Sequence, residues 1–248
     1  MCFVLVGVTM KSIIAATAAL VAFAASGGVA AAATYDFGLL STNAGVGEGS
    51  WDSRGDATNV SGGEFDDDTD RFIVDGIGVT ADGYTYSISY IGTAGPHDIF
   101  TVSNSGDLGF YRKADAYLDG LSGNKEAGIG VCGSITNTFQ CNPSNDDNIG
   151  PDGGLDSQNQ SGYLEFVTLT FDVDVQISDM MFRDDNHKEI SSGLIGLSLD
   201  DPSSGEMLFV VTDISSLTGA DAGINQSHNF FSSTWSFAAI SAEFDRSC

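Results

Sequence analysis

A strict alternation of apolar and polar residues runs from Val167 to Ile177. Its apolar members are Val167, Leu169, Phe171, Val173, Val175 and Ile177, and its polar members are Thr168, Thr170, Asp172, Asp174 and Gln176. Successive side chains of a β-strand point to opposite faces of the sheet, whereas a helix needs apolar residues three or four positions apart. The run therefore predicts one long strand, or two strands joined by a bend, with one buried face and one solvated face.

The same alternation recurs along the rest of the chain. A tyrosine stripe alternates with small polar residues at Tyr84, Tyr86 and Tyr90. The segments 99–103 and 108–112 flank a turn sequence, Asn104–Asp107, and together predict a hairpin. Further candidate strands are Arg71–Thr80, Ala127–Cys132, Met180–Arg183, Leu194–Leu199, Met207–Thr212 and Trp235–Phe244. About ten short strands separated by turn residues predict an all-β fold, specifically a two-sheet antiparallel β-sandwich of jelly-roll type.

The first 33 residues have the pattern of an export signal. Lys11 is their only charged residue, an apolar run from Ile13 to Ala25 follows, and Ala31–Ala33 supplies small residues for cleavage. The mature chain is therefore predicted to begin near Thr34, and residues 34–248 are predicted to form a single domain. A membrane anchor is the alternative, because the apolar run is almost long enough to span a bilayer. Residues 1–9 place apolar residues ahead of the positive charge, which suggests Met10 as the true start.

The charge balance excludes two classes of partner. The chain has 34 acidic and nine basic residues, for a net charge of −25. Nucleic acids and anionic membrane surfaces are bound through cationic faces that displace counterions. The sequence therefore predicts neither kind of partner, and an extracellular polysaccharide is the partner class left open.

The cysteines are predicted to form one disulfide. An exported chain meets oxidising conditions, and Cys132 and Cys141 bracket a short polar loop. Closing a loop of ~10 residues contributes roughly 2–3 kcal/mol to stability. A zinc site is the alternative, but the sequence has no second Cys or His pair nearby. Cys2 lies in the predicted signal segment, and Cys248 is left over.

Catalytic motifs are nearly absent from the sequence, and no catalytic residue is predicted. Residues 128–133 satisfy G-x-G-x-x-G. A dinucleotide site needs that turn to open a helix, and the sequence that follows is typical of a loop. The three histidines, His97, His187 and His228, are scattered on different turns. A pair of carboxylates for glycoside chemistry stays open, because their separation is set in three dimensions.

Two acidic groups are candidate calcium ligands, and no other cofactor is predicted. The first is the loop Asp146–Asp147–Asn148 together with Glu165. Glu165 is in phase with the apolar residues of the long alternation, so it is predicted to point to the core. A buried carboxylate needs a cation or several donors, and Ca²⁺ takes six to eight oxygen ligands. An exposed strand end, or pairing with Arg112 or Arg183, is the alternative.

The second, weaker group is Asp66, Asp68 and Asp70, whose spacing resembles the start of an EF-hand loop. Arg71 stands where that loop needs Gly, and Ile77 stands where it needs the bidentate Glu. The group is therefore no EF-hand, and a solvated acidic turn is the alternative.

Two stretches resemble the exported domain of bacterial PEP-CTERM and VPLPA-CTERM sorted proteins. They are residues 117–149, which include both paired cysteines, and residues 162–187. The resemblance implies a signal peptide, a sandwich-like body and association with the cell surface and exopolysaccharide. It also implies a carboxy-terminal sorting tag, which does not follow Phe244 in this sequence. Either the chain is truncated or frameshifted, or this protein is released rather than sorted, so the sequence leaves surface retention open.

Three functions are weighed on this basis. The first is a non-catalytic exported protein of the cell surface or exopolysaccharide matrix. The second is a carbohydrate-binding module, suggested by the tyrosine stripe, Trp51 and Trp235. The third is a polysaccharide hydrolase or lyase on a jelly-roll scaffold. The first is the expected function.

Overall fold

The structure is a computed structural model that describes residues 3–12, 32–42, 45–47, 49–53, 55–60, 62–88, 96, 99–103, 109–121, 125–132, 163–184, 189–216 and 231–238. Strands dominate these residues, which confirms the all-β prediction. Their one α-helix, α1, is the four-residue segment Phe37–Leu40. No helix in this part of the chain is long and apolar enough to cross a membrane.

Residues 3–132 contribute ten strands. They are β1 (Phe3–Ser12), β2 (Ala32–Asp36), β3 (Gly49–Ser50), β4 (Ala57–Val60), β5 (Gly63–Asp66), β6 (Arg71–Val74), β7 (Ile77–Ile88), β8 (Ile99–Ser103), β9 (Gly109–Leu121) and β10 (Lys125–Cys132). Residues 163–238 contribute β11 (Tyr163–Asp184), β12 (Glu189–Ile190), β13 (Leu194–Ser198), β14 (Glu206–Asp213) and β15 (Ser232–Ala238). The strand count is higher than the predicted ten because several strands are only two to four residues long.

Hydrogen bonding joins these strands into one extended, mainly antiparallel sheet built on three long strands, β7, β9 and β11. One edge of β7 pairs with β11 and the other pairs with β6 and then β9. The pairing path from β9 through β8, β14, β13 and β15 returns to β11. A second path from β9 through β10 and β1 also returns to β11. The long strands are therefore shared by two parts of the sheet.

Each part has its own cluster of aromatic side chains. The first cluster comes from β7 and from strands of the longer path and consists of Tyr84, Tyr86, Phe100, Tyr111, Phe166 and Phe209. The second comes mainly from the other elements and consists of Tyr35, Phe37, Trp51, Phe65, Phe72 and Phe171. Burial of such large apolar side chains is the main source of stability in a fold with short strands.

The long alternation forms part of β11, but its predicted solvated face is only partly correct. Phe166 and Thr168 are as buried as Val167 and Leu169, so both faces of β11 are covered there. In this region β11 is also a central strand, paired with β7 on one edge and with β15 on the other. The Thr168 and Ser236 hydroxyls, paired in register, are 2.7 Å apart and satisfy each other in this buried position. Further along, the register to β15 shifts between Thr170 and Val175, and the alternation lies in one continuous strand, the first of the two predicted forms.

Two other strand predictions are wrong. Arg71–Thr80 is not one strand, because Asp75 and Gly76 have φ of 51° and 79° and turn the chain between β6 and β7. A two-residue turn with positive φ at both positions is the usual Asp-Gly hairpin connection. The hairpin predicted around Asn104–Asp107 is also absent as such, since β8 and β9 pair in parallel at Ser103 and Phe110. The antiparallel partner of β8 is β14.

Candidate metal site

The acidic turn, residues 66–70 between β5 and β6, is stabilised by hydrogen bonds to the Asp66 side chain. The Oδ1 atom of Asp66 accepts the backbone N–H of Asp68 at 3.1 Å, and its Oδ2 atom accepts the hydroxyl of Thr69 at 2.9 Å. Asp70 has a φ of 50°, which closes the turn into β6. Aspartate suits these positions because its short side chain bonds to nearby backbone and tolerates left-handed conformations.

The carboxylate of Asp56, the residue just before β4, lies beside Asp66 and Asp67 of this turn. Oδ1 of Asp56 accepts the backbone N–H of Asp67 at 3.0 Å. One carboxylate oxygen from each of Asp56, Asp66 and Asp67 lies within 4.8 Å of the others. The group therefore keeps only Asp66 of the predicted Asp66, Asp68 and Asp70 set. The hairpin between β4 and β5 explains the difference, because it pairs Ala57 with Phe65 and so brings the two ends together.

The three carboxylates repel one another. The pKa of the Asp67 carboxyl is raised above its ordinary value. The largest cause is a hydrogen bond with Asp56, and the second is the negative charge of Asp56. A carboxyl with a raised folded-state pKa favours folding at low pH, and this contribution is lost as the pH rises through that pKa. Three carboxylate oxygens this close together form a ligand set that suits a divalent cation with a preference for oxygen.

The acidic turn is tied to the core through Trp51. The indole Nε1–H of Trp51 donates to the backbone carbonyl of Asp70 at 2.7 Å. Its ring is buried and packs edge-on against Phe65 with centroids 5.1 Å apart. Phe65 directly precedes Asp66 in β5. Trp51 fluorescence is thus a natural reporter of any ion that binds at the turn.

Glu165, the favoured calcium ligand from the sequence, is 1% exposed, as its position in the alternation predicts. It lies opposite Thr85 of β7, and Thr85 lies opposite Arg112 of β9, so the three residues form one cross-strand row. The pKa of Tyr86 is raised well above its ordinary value, mainly by burial and secondly by the negative charge of Glu165. The alternative partner Arg183 lies near the opposite end of β11. The proposed co-ligands Asp146 and Asp147 lie outside the described residues.

Other candidate residues are either structural or outside the described part of the chain. Trp51, Trp235 and Tyr86 are buried, so their rings do not offer a surface on which a sugar can stack. Gly128 and Gly130 lie within β10. Cys132 is the last residue of β10. Outside the described residues lie Cys141, Tyr90 and the three histidines.

Comparison with known proteins identifies no relative of this chain. No known protein family matches it, no curated protein is significantly similar to it, and no solved structure matches its fold.

Calcium is expected to stabilise the protein through the Asp56, Asp66 and Asp67 group. Exposed extracellular sites bind Ca²⁺ in the 10⁻⁴–10⁻³ M range, so a concentration at ~10–100 times Kd raises Tm by ~3–10 °C. Replacement of Asp56→Asn should remove most of this gain, and Trp51 fluorescence should change over the same titration. The measurement is a melting curve in Ca²⁺ and in EDTA at constant ionic strength.

Asp68→Asn is the matched control, because Asp68 lies on the same turn but outside the group. It should keep the gain in Tm. Loss of the gain in Glu165→Gln, with Asp56→Asn unaffected, would instead assign the ion to Glu165. Equal melting curves in Ca²⁺ and EDTA would contradict both sites.

Proposed function

We propose that the chain is a non-catalytic bacterial protein that is exported to the cell surface or the exopolysaccharide matrix. The leader pattern of residues 1–33 supports export. The resemblance to PEP-CTERM and VPLPA-CTERM proteins supports the location, and the strong negative charge fits a soluble extracellular protein.

The observation that carries this proposal is where the resembling residues lie in the fold. Residues 117–121 belong to β9, residues 125–132 form β10, and residues 163–184 form β11. Their apolar members are buried in the core, among them Leu118, Ile129, Val131, Leu169, Phe171 and Phe182. This placement supports the proposal that the resemblance concerns the framework of a β-sheet body.

The body is proposed to be the two-sheet, jelly-roll-like sandwich expected from the sequence. Coverage of β11 on both faces at residues 165–169 supports stacked layers, and so do the two aromatic clusters. The carbohydrate-binding alternative has lost its main support, because Trp51, Trp235 and Tyr86 are in the core.

The test is expression of the full chain in a bacterial host, followed by fractionation and assays on polysaccharides. The proposal expects the protein outside the cytoplasm, with no turnover of acidic or neutral polysaccharides. A glycan array distinguishes a matrix protein from a specific sugar-binding module. Retention in the cytoplasm would contradict export, and release of oligosaccharides would show a hydrolase or lyase.

A further inference from the structure

Strand β1 fills a slot between two other parts of the sheet. It pairs with β11 from Phe3 opposite Asp184 to Ser12 opposite Val175. Along its other edge it pairs with β2 over residues 7–11, and with β10 at Leu5. β1 and β7 follow each other along the same edge of β11, because β15 lies on the other edge at Val175.

Export would remove the strand that fills this slot, an argument that rests on the proposed function. β1 lies wholly before the predicted cleavage point between Ala33 and Thr34. A start at Met10 would remove most of the same strand. Cleavage before Thr34 therefore leaves residues 176–184 of β11 without a strand along this edge, while β12 still pairs with Phe182 and Arg183 on the other edge. The short remainder of β2, Thr34–Asp36, loses its partner β1.

The apolar residues on both sides of this slot are buried in the structure, where β1 is in place. Ile177, Met180 and Phe182 of β11 are buried, and across the slot Tyr35 and Ile129 are buried as well. Unpaired N–H and C=O groups along an apolar strand edge are a template for another strand. A peptide that adds to such an edge gains main-chain hydrogen bonds along its length and fills pockets with alternate side chains.

Charge identifies the kind of strand that fits. The residues at the slot include Asp36, Asp179 and Asp184 against the single cation Arg183. Without Lys11, the only charged residue before Thr34, the mature chain carries a net charge of −26. This charge opposes a second copy of the chain and favours a partner that carries a positive charge.

We propose that the mature protein binds an extended, mainly apolar segment of another protein, flanked by a basic residue, as an added antiparallel strand along residues 175–184 of β11. The occupant completes the sheet where β1 lies in the full chain. The site would connect the exported body to a second extracellular protein.

The test uses the chain from Thr34 to Cys248, purified from the medium, and a synthetic peptide with the sequence of residues 3–12. Saturable binding is expected, with a rise in Tm that depends on peptide concentration and slower amide exchange at residues 175–184. A peptide with Val4→Pro and Val8→Pro, two positions that pair with Arg183 and Met180 of β11, should bind at least roughly tenfold more weakly, since proline cannot donate to the ladder. A peptide with Lys11→Glu should also bind more weakly, and the difference should shrink at high salt.

Three results would overturn the inference. Failure of the peptide to bind a correctly cleaved chain would overturn the open slot and leave the proposed function intact. Dimerisation of the mature chain with protection of residues 175–184 would make a second copy the occupant. Secreted protein that retains residues 3–12 would contradict the export processing itself, and the slot would then be filled within the chain.

Discussion

Replacement of Phe166 by alanine is expected to lower the free energy of unfolding by about 3–5 kcal/mol. Phe166 is fully buried in β11 and stacks on Tyr84 with ring centroids 4.7 Å apart. It also contacts Tyr111 at 5.7 Å and Phe209 at 5.4 Å, so its loss leaves a cavity among rigid rings from three other strands. Urea unfolding of the purified chain measures the change, and Tm should fall by about 2–4 °C per kcal/mol in a chain of this size.

Phe231→Ala is the matched control for this substitution. Phe231 is 37% exposed, so truncation removes the same atoms without leaving an enclosed cavity. Its expected effect is within about 1 kcal/mol. Equal losses in the two variants would contradict the aromatic cluster at the centre of β7, β9 and β11.

Replacement of Gly83 by alanine is expected to destabilise the protein by about 1–3 kcal/mol or more. Gly83 lies in β7 opposite Val167 of β11 and Ala114 of β9. A Cβ atom at this position would lie 2.6 Å from the backbone carbonyl of Asp115 and 2.8 Å from the backbone nitrogen of Ala116. Backbone atoms cannot move aside as the end of a side chain can, so the long strands would have to separate.

Gly55→Ala is the control for Gly83→Ala, because no atom lies within 4 Å of the added Cβ and its φ is not positive. It should unfold at the same urea concentration as the unsubstituted chain, or at a slightly higher one. A stable Gly83→Ala variant would mean that β7 and β9 are further apart than the structure has them.

The alternation of apolar and polar residues predicts which segments form strands better than it predicts what packs against each strand. The alternation of β11 is local, so that strand was recognised, whereas β7 was divided between the tyrosine stripe and the candidate strand Arg71–Thr80. Whether the second face of a strand is solvated depends on what packs there, and only the structure shows that Phe166 and Thr168 are covered. The partner of β8 is likewise set by contacts more than 100 residues apart in sequence, and no turn signal beside β8 reports them.

The candidate site was predictable in part. The burial of Glu165 follows from counting along one strand, and the prediction is confirmed. The role of Asp56 was missed because it lies ten residues before Asp66 and joins it only through the hairpin of β4 and β5. The signal that could have found it is the Ser61–Gly62–Gly63 turn sequence between two short strands.

The central claim is that the protein is exported and that its mature body begins near Thr34. Intact-mass analysis of protein recovered from the culture medium tests this claim most directly. We predict a mass that corresponds to a chain starting at or close to Thr34. Secreted protein whose mass still includes Lys11 and the apolar run after it would contradict the claim.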